Sequence, residues 1–280
     1  QPGASERWME KPAALPAEEL AAPRNLNLVL FVLSTCSFTL IFNNLVISPL
    51  LVEFAADFGI SISTAGQLMT AYALPAGLFA LFVGPALDRF GRRPIMLGGM
   101  VLLTLSTISA VGVGSFAALL SLRVVAGAAA AAIQPAVFAC IGDFFPYAQR
   151  GRAMGWVISA NTLASIIGVP IGTVLAQVAG WRWTFALIAV FLLTATMVLV
   201  LRFPREGGSV ATPVSRNQYL LSYRRVLADR TASAALVSSF LGGLFWFAWV
   251  TYMGAFFAQS FSLSTGQLAP VMSTLGLGVL

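Results

Sequence analysis

The sequence predicts an all-α, polytopic membrane protein, and three observations carry that prediction. Apolar runs of 18 residues or more recur along most of the chain, and each such run is long enough to cross a bilayer. Charge is scarce: 58% of the 280 residues are hydrophobic and 9% charged, where a soluble domain carries about 25% charged residues. With the exception of Arg123, the charges also sit in or beside the gaps between apolar runs.

Gln1 to Arg24 is Pro-, Ala- and Glu-rich, lacks an apolar core and reads as a polar tail (residues 1–25) rather than a secretion signal. Residues 26–203 hold six spans. Span one covers about Asn27 to Leu50, with Pro49 near its far end, and Glu53 to Ser63 forms the connection. Span two runs from about Thr64 to Leu87 and leads into Gly84-Pro-Ala-Leu-Asp88-Arg89-Phe-Gly91-Arg92-Arg93-Pro94. Gly84 and Gly91 allow close approach or φ > 0, and Pro94 suits a first helical turn. Span three covers about Ile95 to Val111, and the uncharged link Gly112 to Ser115 follows. Span four is about Phe116 to Phe144. A turn carrying Asp143, Arg150 and Arg152 separates it from span five, about Ala153 to Val178, and span six runs from Trp181 to near Leu201. Residues 204–230 are a basic linker. Tyr219, Leu220, Tyr223, Val226 and Leu227 recur in it at helical spacing, as in a surface amphipathic helix or equally a solvated segment. Residues 231–280 hold span seven, about Ala232 to Phe257, and an eighth that begins near Thr265. A chain that starts at Gln1 and stops within an apolar run reads as part of a longer protein.

Basic residues alternate gap by gap. Arg7, Lys11 and Arg24, then Arg89, Arg92 and Arg93, then Arg150 and Arg152, then the linker arginines share one side, while the opposite gaps hold Arg182. By the positive-inside rule this places the N-terminus and the linker inside the cell. The net charge of +6 is therefore topogenic, and nucleic acid is not an expected partner. Cys36 and Cys140 lie within apolar runs and read as buried free thiols. With no histidine and no carboxylate pair at metal-binding spacing, neither a metal site, a cofactor nor an enzyme is expected, and no G-x-x-x-x-G-K-[ST] loop is present to bind ATP.

Gly59-Ile-Ser-Ile-Ser-Thr-Ala-Gly66-Gln67-Leu68 is echoed by Phe261-Ser-Leu-Ser-Thr-Gly266-Gln267-Leu268. The two copies lie between equivalent spans on one side of the membrane, which describes a parallel repeat of two six-span halves. Charge within a span is costly and usually functional. Arg123 lies about 10 Å into span four at 1.5 Å per residue, where it either faces the bundle interior or snorkels to the headgroups. Gly127 and the run Ala128 to Ala132 give that helix a small-residue packing face. Asn43, Asn44, Gln134 and Asn161 are the polar residues of otherwise apolar helices. With Arg123 they are cavity candidates, and Trp246, Phe247, Trp249 and Tyr252 could form a second wall.

The spacing G-x-x-x-D-R-x-G-R-R closely resembles the loop between the second and third spans of the major facilitator superfamily of transporters, most like the bacterial drug or sugar efflux branch. That resemblance implies a conformational latch formed by Gly84, Asp88, Arg89, Gly91, Arg92, Arg93 and Asp143. Asp143 would pair with Arg92, and Asp88 would cap a helix of the second half, so the cluster holds the outward-open state shut at its cytoplasmic end. Arg123 followed by Gly127 is similar to the family's span-four motif, implying a role in substrate or proton coupling. Gly155, Gly168, Pro170 and Gly172 partly match the family's antiporter motif, implying a kink and close contact at the interface between halves. Ala164 and Thr173 depart from that motif, and Asn43-Asn44 stands where such antiporters often carry an acid. A proton would then ride on Asp88, Asp143, Glu53 or Asp57, or elsewhere. The resemblance implies a monomer that uses protons as coupling ion to move a small organic solute, an amphiphile or a sugar. Uniport, proton symport, or a non-transporting receptor or scaffold stand as alternatives.

Overall fold

A computed structural model describes residues 25–204 and 226–264, together with residues 224, 267, 268, 270, 271 and 274. Its elements are α1 (Leu26–Leu45), α2 (Ile47–Phe58), α3 (Ile62–Phe90), α4 (Arg92–Val111), α5 (Phe116–Phe144), α6 (Tyr147–Leu163), a π-helical turn (Ala164–Gly168), α7 (Val169–Ala179), α8 (Trp181–Arg202) and α9 (Arg230–Phe261). Among the described residues seven helical segments are long and apolar enough to cross a membrane, with α6, the π turn and α7 forming one of them. The protein is a multi-span helical bundle.

The helices begin where short polar side chains can satisfy orphan N–H groups. Asn25, Ser61, Ser115 and Asp229 each accept a bond from the backbone N–H three residues on, at 3.1, 3.0, 3.3 and 2.8 Å. A single residue, Gly91, joins α3 to α4 with φ +86°. A side chain there would be strained, so the hairpin at the arginine-rich end depends on that glycine.

Small residues set the spacing between helices. A Cβ on Gly127 of α5 would collide with the backbone carbonyl of Tyr72 in α3. On Gly99 of α4 it would lie 3.0 Å from the Ala129 carbonyl of α5. Lipid gives no hydrophobic drive for helices to associate, so such close packing supplies the attraction instead.

Several expected boundaries shift. Span one does not stop at Leu50, because α2 carries it on to Phe58 and shrinks the connection Glu53–Ser63 to residues 59–61. The acids Glu53 and Asp57 suggested a loop. They instead stand on a projecting helix whose Phe54 is fully buried and stacks edge-on to Trp181 at 5.1 Å. Likewise Asp88 and Arg89 end α3, Asp143 ends α5, and Arg150 and Arg152 open α6, so both charged turns are shorter than predicted. The linker helix falls mostly outside the described residues, and Thr265 and Gly266 of the second repeat copy lie outside them too.

α9 packs on the far end of the bundle. Ser48 donates to the carbonyl of Val250 and, at 3.2 Å, to that of Thr251. A Cβ on Gly254 would lie 3.0 Å from Pro49 Cα, and Tyr252 closes over Gly66. Val169 and Met253 form a small apolar cluster with Leu45, Phe257 and Val271.

Candidate functional site

Arg92 opens α4 and reaches two carboxylates at once. Its Nη1 donates to Asp88 Oδ1 at 2.8 Å and its Nε to Asp143 Oδ2 at 3.1 Å. One guanidinium thus ties the feet of α3, α4 and α5, with the fixed fork geometry that suits two acceptors. Beside it Arg93 Nη2 donates to the Val200 carbonyl of α8 at 2.9 Å. Arg89 lies over the ring of Phe90 at 5.3 Å, and Gly84 has open space around it. Arg150 adds a contact that the sequence reading did not single out. It donates to the carbonyls of Gly142 (2.7 Å) and Phe145 (3.0 Å), capping α5 at the negative end of its dipole.

Arg123 does not snorkel. It is 1% exposed and gives Nη2 to Asn43 Oδ1 at 3.1 Å and Nη1 to the Asn43 carbonyl at 3.4 Å. Its guanidinium faces the rings of Phe185 (5.5 Å) and Tyr72 (6.0 Å). None of the ion pairs among the described residues includes it. Asn43 passes the chain on through Nδ2 to Thr107 Oγ1 at 2.9 Å. Asn44 is buried beside it, with Oδ1 unpartnered.

Gln134 and Asn161 meet at a residue the sequence reading missed. Ser37 Oγ lies 3.1 Å from Gln134 Oε1 and 2.7 Å from Asn161 Oδ1, joining α5, α1 and α6. A serine in an apolar helix gives a weak signal on its own; only the fold reveals its two amide neighbours.

The expected kink region carries a π turn, Ala164–Gly168. The π turn directly precedes Pro170, which has no N–H to return to the preceding turn. Within the first half Gly168 and Gly172 are closely packed. They pack on Phe42 and Val46 of the first half, with Thr184 also against Gly172, and nothing lies within 4 Å of a Cβ on Gly155. Val169, between Gly168 and Gly172, packs with Met253 of α9.

A groove of about 1070 Å³ opens between α1 and α6, with Phe191 of α8 at its side. Asn25, Phe145, Gln149 and Arg152 stand at its mouth, and Phe38, Ala160 and Leu163 lie deeper. Its aromatics are Phe31, Phe38, Phe145, Trp156 and Phe191, so the span-seven aromatics proposed as a wall do not line it.

At the opposite end Asp57 accepts from Trp181 Nε1 at 3.0 Å and from Arg182 Nη1 at 2.9 Å, while Arg182 Nη2 donates to the Val113 carbonyl. The Trp181 bond first, then Arg182, outweigh partial desolvation and hold the Asp57 carboxyl below the usual range.

A family model described as Major Facilitator Superfamily matches residues 33–280. Among curated proteins, the MFS-type transporter YceJ of Bacillus subtilis is 30% identical over 250 residues, covering 89% of this chain and 62% of that protein. Multidrug resistance protein MdtM of Escherichia coli K12 is 25% identical, covering 80% of this chain and 54% of that one. A chloramphenicol resistance protein of Streptomyces lividans is 32% identical over 59% of this chain and 42% of its own. The chain thus spans less than two thirds of the length of these relatives. Among solved structures, an inward-facing bacterial homologue of the lysosomal transporter Spinster superposes with TM-score 0.68 at 18% identity, covering 89% of this chain and 60% of that one. A D-xylose–proton symporter superposes with TM-score 0.64 at 17% identity, covering 89% and 65%.

Proposed function

Because this chain belongs to the major facilitator superfamily, we propose that it forms the larger part of a secondary transporter. That transporter moves a small organic solute by alternating access, outward and in exchange for protons. The observation that carries this reading is the asymmetry of the two ends. α9 is tied to the first bundle at the end where Ser48 meets Val250, while the groove between α1 and α6 opens toward the end that bears Arg92 and Asp143. Among the described residues the two halves meet at one end, as one state of a rocking pair of bundles requires. The arginine distribution supports placing the open end in the cytoplasm of a bacterial inner membrane. Residues 26–203 form one rocking body, residues 231–280 begin the second, and residues 204–230 link them within a monomer.

In this reading Asp88, Arg92 and Asp143 are the latch, which fixes the foot of the first bundle so that the second can dock on it when the cytoplasmic end shuts. Arg123 and Asn43 couple span four to span one at the depth of the solute. Efflux of drug-like molecules follows the relatives named for multidrug and chloramphenicol resistance. Uniport has one observation in its favour: Arg123 pairs with an amide, Asn43, where a proton carrier would need a carboxylate.

The test is flux through the full-length protein in vesicles, with and without an imposed proton gradient, against dyes, chloramphenicol and sugars. Accumulation of an amphiphile that collapses when the gradient is discharged is expected. Gradient-independent equilibration would assign uniport, and no flux of any probe would remove the transporter reading.

A further inference from the structure

We propose that the groove between α1 and α6 takes solutes built from a flat aromatic body and one anionic group, with Arg152 as the residue that selects for the negative charge. The proposal rests on the transporter reading above and names the class of solute.

The residues that line the groove include no carboxylate, and Arg152 is their one charged side chain. The arginines around it are engaged elsewhere. Arg92 holds Asp88 and Asp143, Arg93 the Val200 carbonyl, and Arg150 the carbonyls of Gly142 and Phe145. Arg152 is exposed and takes part in no hydrogen bond or ion pair among the described residues. Any arginine in a gap between spans adds to the positive-inside bias. One that lines a cavity without a counter-ion also fixes the sign of the charge that cavity accepts.

Backbone adds to the same field. α1 starts at Leu26 and α6 at Tyr147, and Leu26, Asn27 and Gln149 of their first turns line the mouth. Both helices run inward from this end, so the positive ends of two helix dipoles meet there beside the guanidinium. A permanent cation would face all three with no carboxylate to offset them, whereas an anion is drawn by each.

The body of the solute follows from what stands next to Arg152. Trp156 lies four residues on, so the two side chains share a face of α6, and both line the groove. At 1.5 Å per residue Arg152 is about 8 Å along α6 and Trp156 about 14 Å, while Phe31 is about 8 Å and Phe38 about 18 Å along α1. Aromatic surface therefore begins at the level of the guanidinium and continues about 10 Å deeper. That suits a fused two-ring body with its charged end toward the mouth. On an open surface an arginine–carboxylate pair is worth little. Against apolar walls that displace water, a two-pronged contact between guanidinium and carboxylate is stronger, enough to rank solutes that share a body.

Binding to the purified full-length protein in uncharged detergent tests this, with three probes on one naphthalene body: the carboxylate, the primary alcohol and the quaternary trimethylammonium. At neutral pH the carboxylate should bind about tenfold more tightly than the alcohol, and the ammonium more weakly than either. Arg152→Gln should weaken the carboxylate about tenfold and close its gap to the alcohol. Arg152→Lys keeps the charge but loses the fork, and should leave the carboxylate about threefold ahead. Arg152→Glu should invert the order so that the ammonium binds best, a gain that a misfolded variant could not produce. Trp156→Ala should weaken all three probes by a similar factor, about fivefold. Equal affinity of carboxylate and alcohol for the wild type, an order that survives Arg152→Glu, or failure of the carboxylate to bind would overturn the proposal. Flux measured in parallel separates the two readings. Binding with the expected pattern but no flux in vesicles removes transport and leaves the site. Flux of the three probes without preference among them removes the selection by charge and leaves transport.

Discussion

The two ends of the bundle are held together by different physics. At one end a single guanidinium, Arg92, spans two carboxylates on two other helices, and Arg93 and Arg150 bond to backbone carbonyls around it. At the other end Phe54, Phe58, Phe116, Phe185 and Trp181 stack on one another, with one ion pair, Asp57–Arg182, on their rim. The first kind of contact is directional and depends on every partner being present. The second tolerates a loss because many atoms share the attraction. The difference teaches where a moving part belongs: a charged clasp has discrete made and broken states, whereas an aromatic cluster has no comparable switch.

The largest effect should follow from breaking the clasp. Asp88→Arg sets two guanidiniums against each other at the foot of α3 and leaves Arg92 with Asp143 alone. Flux through the full-length protein should fall by about a hundredfold or more, with membrane insertion intact. Arg92→Lys should lose about tenfold, since an ammonium cannot fork across both acids. Normal flux in Asp88→Arg would show that the clasp is an ornament of the turn. The contrasting change at the other end, Phe58→Leu, should leave flux within about twofold, because neighbouring rings keep most of the buried surface.

Much of this contrast was legible in the chain itself. The meeting of Asp88, Arg92 and Asp143 was expected from the resemblance carried by the Gly84–Arg93 motif and not from helical periodicity, since Gly91 sets Asp88 and Arg92 on two different helices. The helices were legible from apolar run length alone, and span four matched residue for residue. Two things were not. Asp57 and Glu53 looked like a loop because charge was read as an interruption, although a helix that leaves the membrane can carry charges on one side and Phe54 on the other. Ser37 was invisible because a serine's role depends on which amides the fold sets beside it.

A middle-sized effect should come from the junction with α9. Gly254 lies against the backbone of Pro49, where a Cβ would be 3.0 Å from Cα, and backbone cannot move aside as a flexible side chain can. Gly254→Leu should therefore lever α9 away from α2 and favour the state closed at the clasp end. A thiol placed by Thr35→Cys in the groove should then react with a membrane-impermeant maleimide about tenfold more slowly from the clasp side. Unchanged labelling would show that the α9 contact does not bias the two states.

The smallest effect should be found at Asp57, and its pH dependence identifies its cause. Bonds from Trp181 and Arg182 lower its pKa in the folded protein, so the folded state binds a proton less readily than the unfolded chain does. The stabilisation is then fully present above the ordinary aspartate range and is lost as pH falls through the depressed folded value. Both partners of the ion pair are about two-fifths exposed, so solvent screening limits its worth to roughly half a kcal/mol. Asp57→Asn should lower the unfolding midpoint of the detergent-purified protein slightly at pH 7, and the deficit should shrink as pH falls through the depressed folded value. A deficit that persisted at low pH would assign the loss to packing around the side chain rather than to charge, since an asparagine Oδ1 can still accept from Trp181 Nε1. The aromatic end would then owe nothing to electrostatics, and the contrast with the clasp would be sharper still.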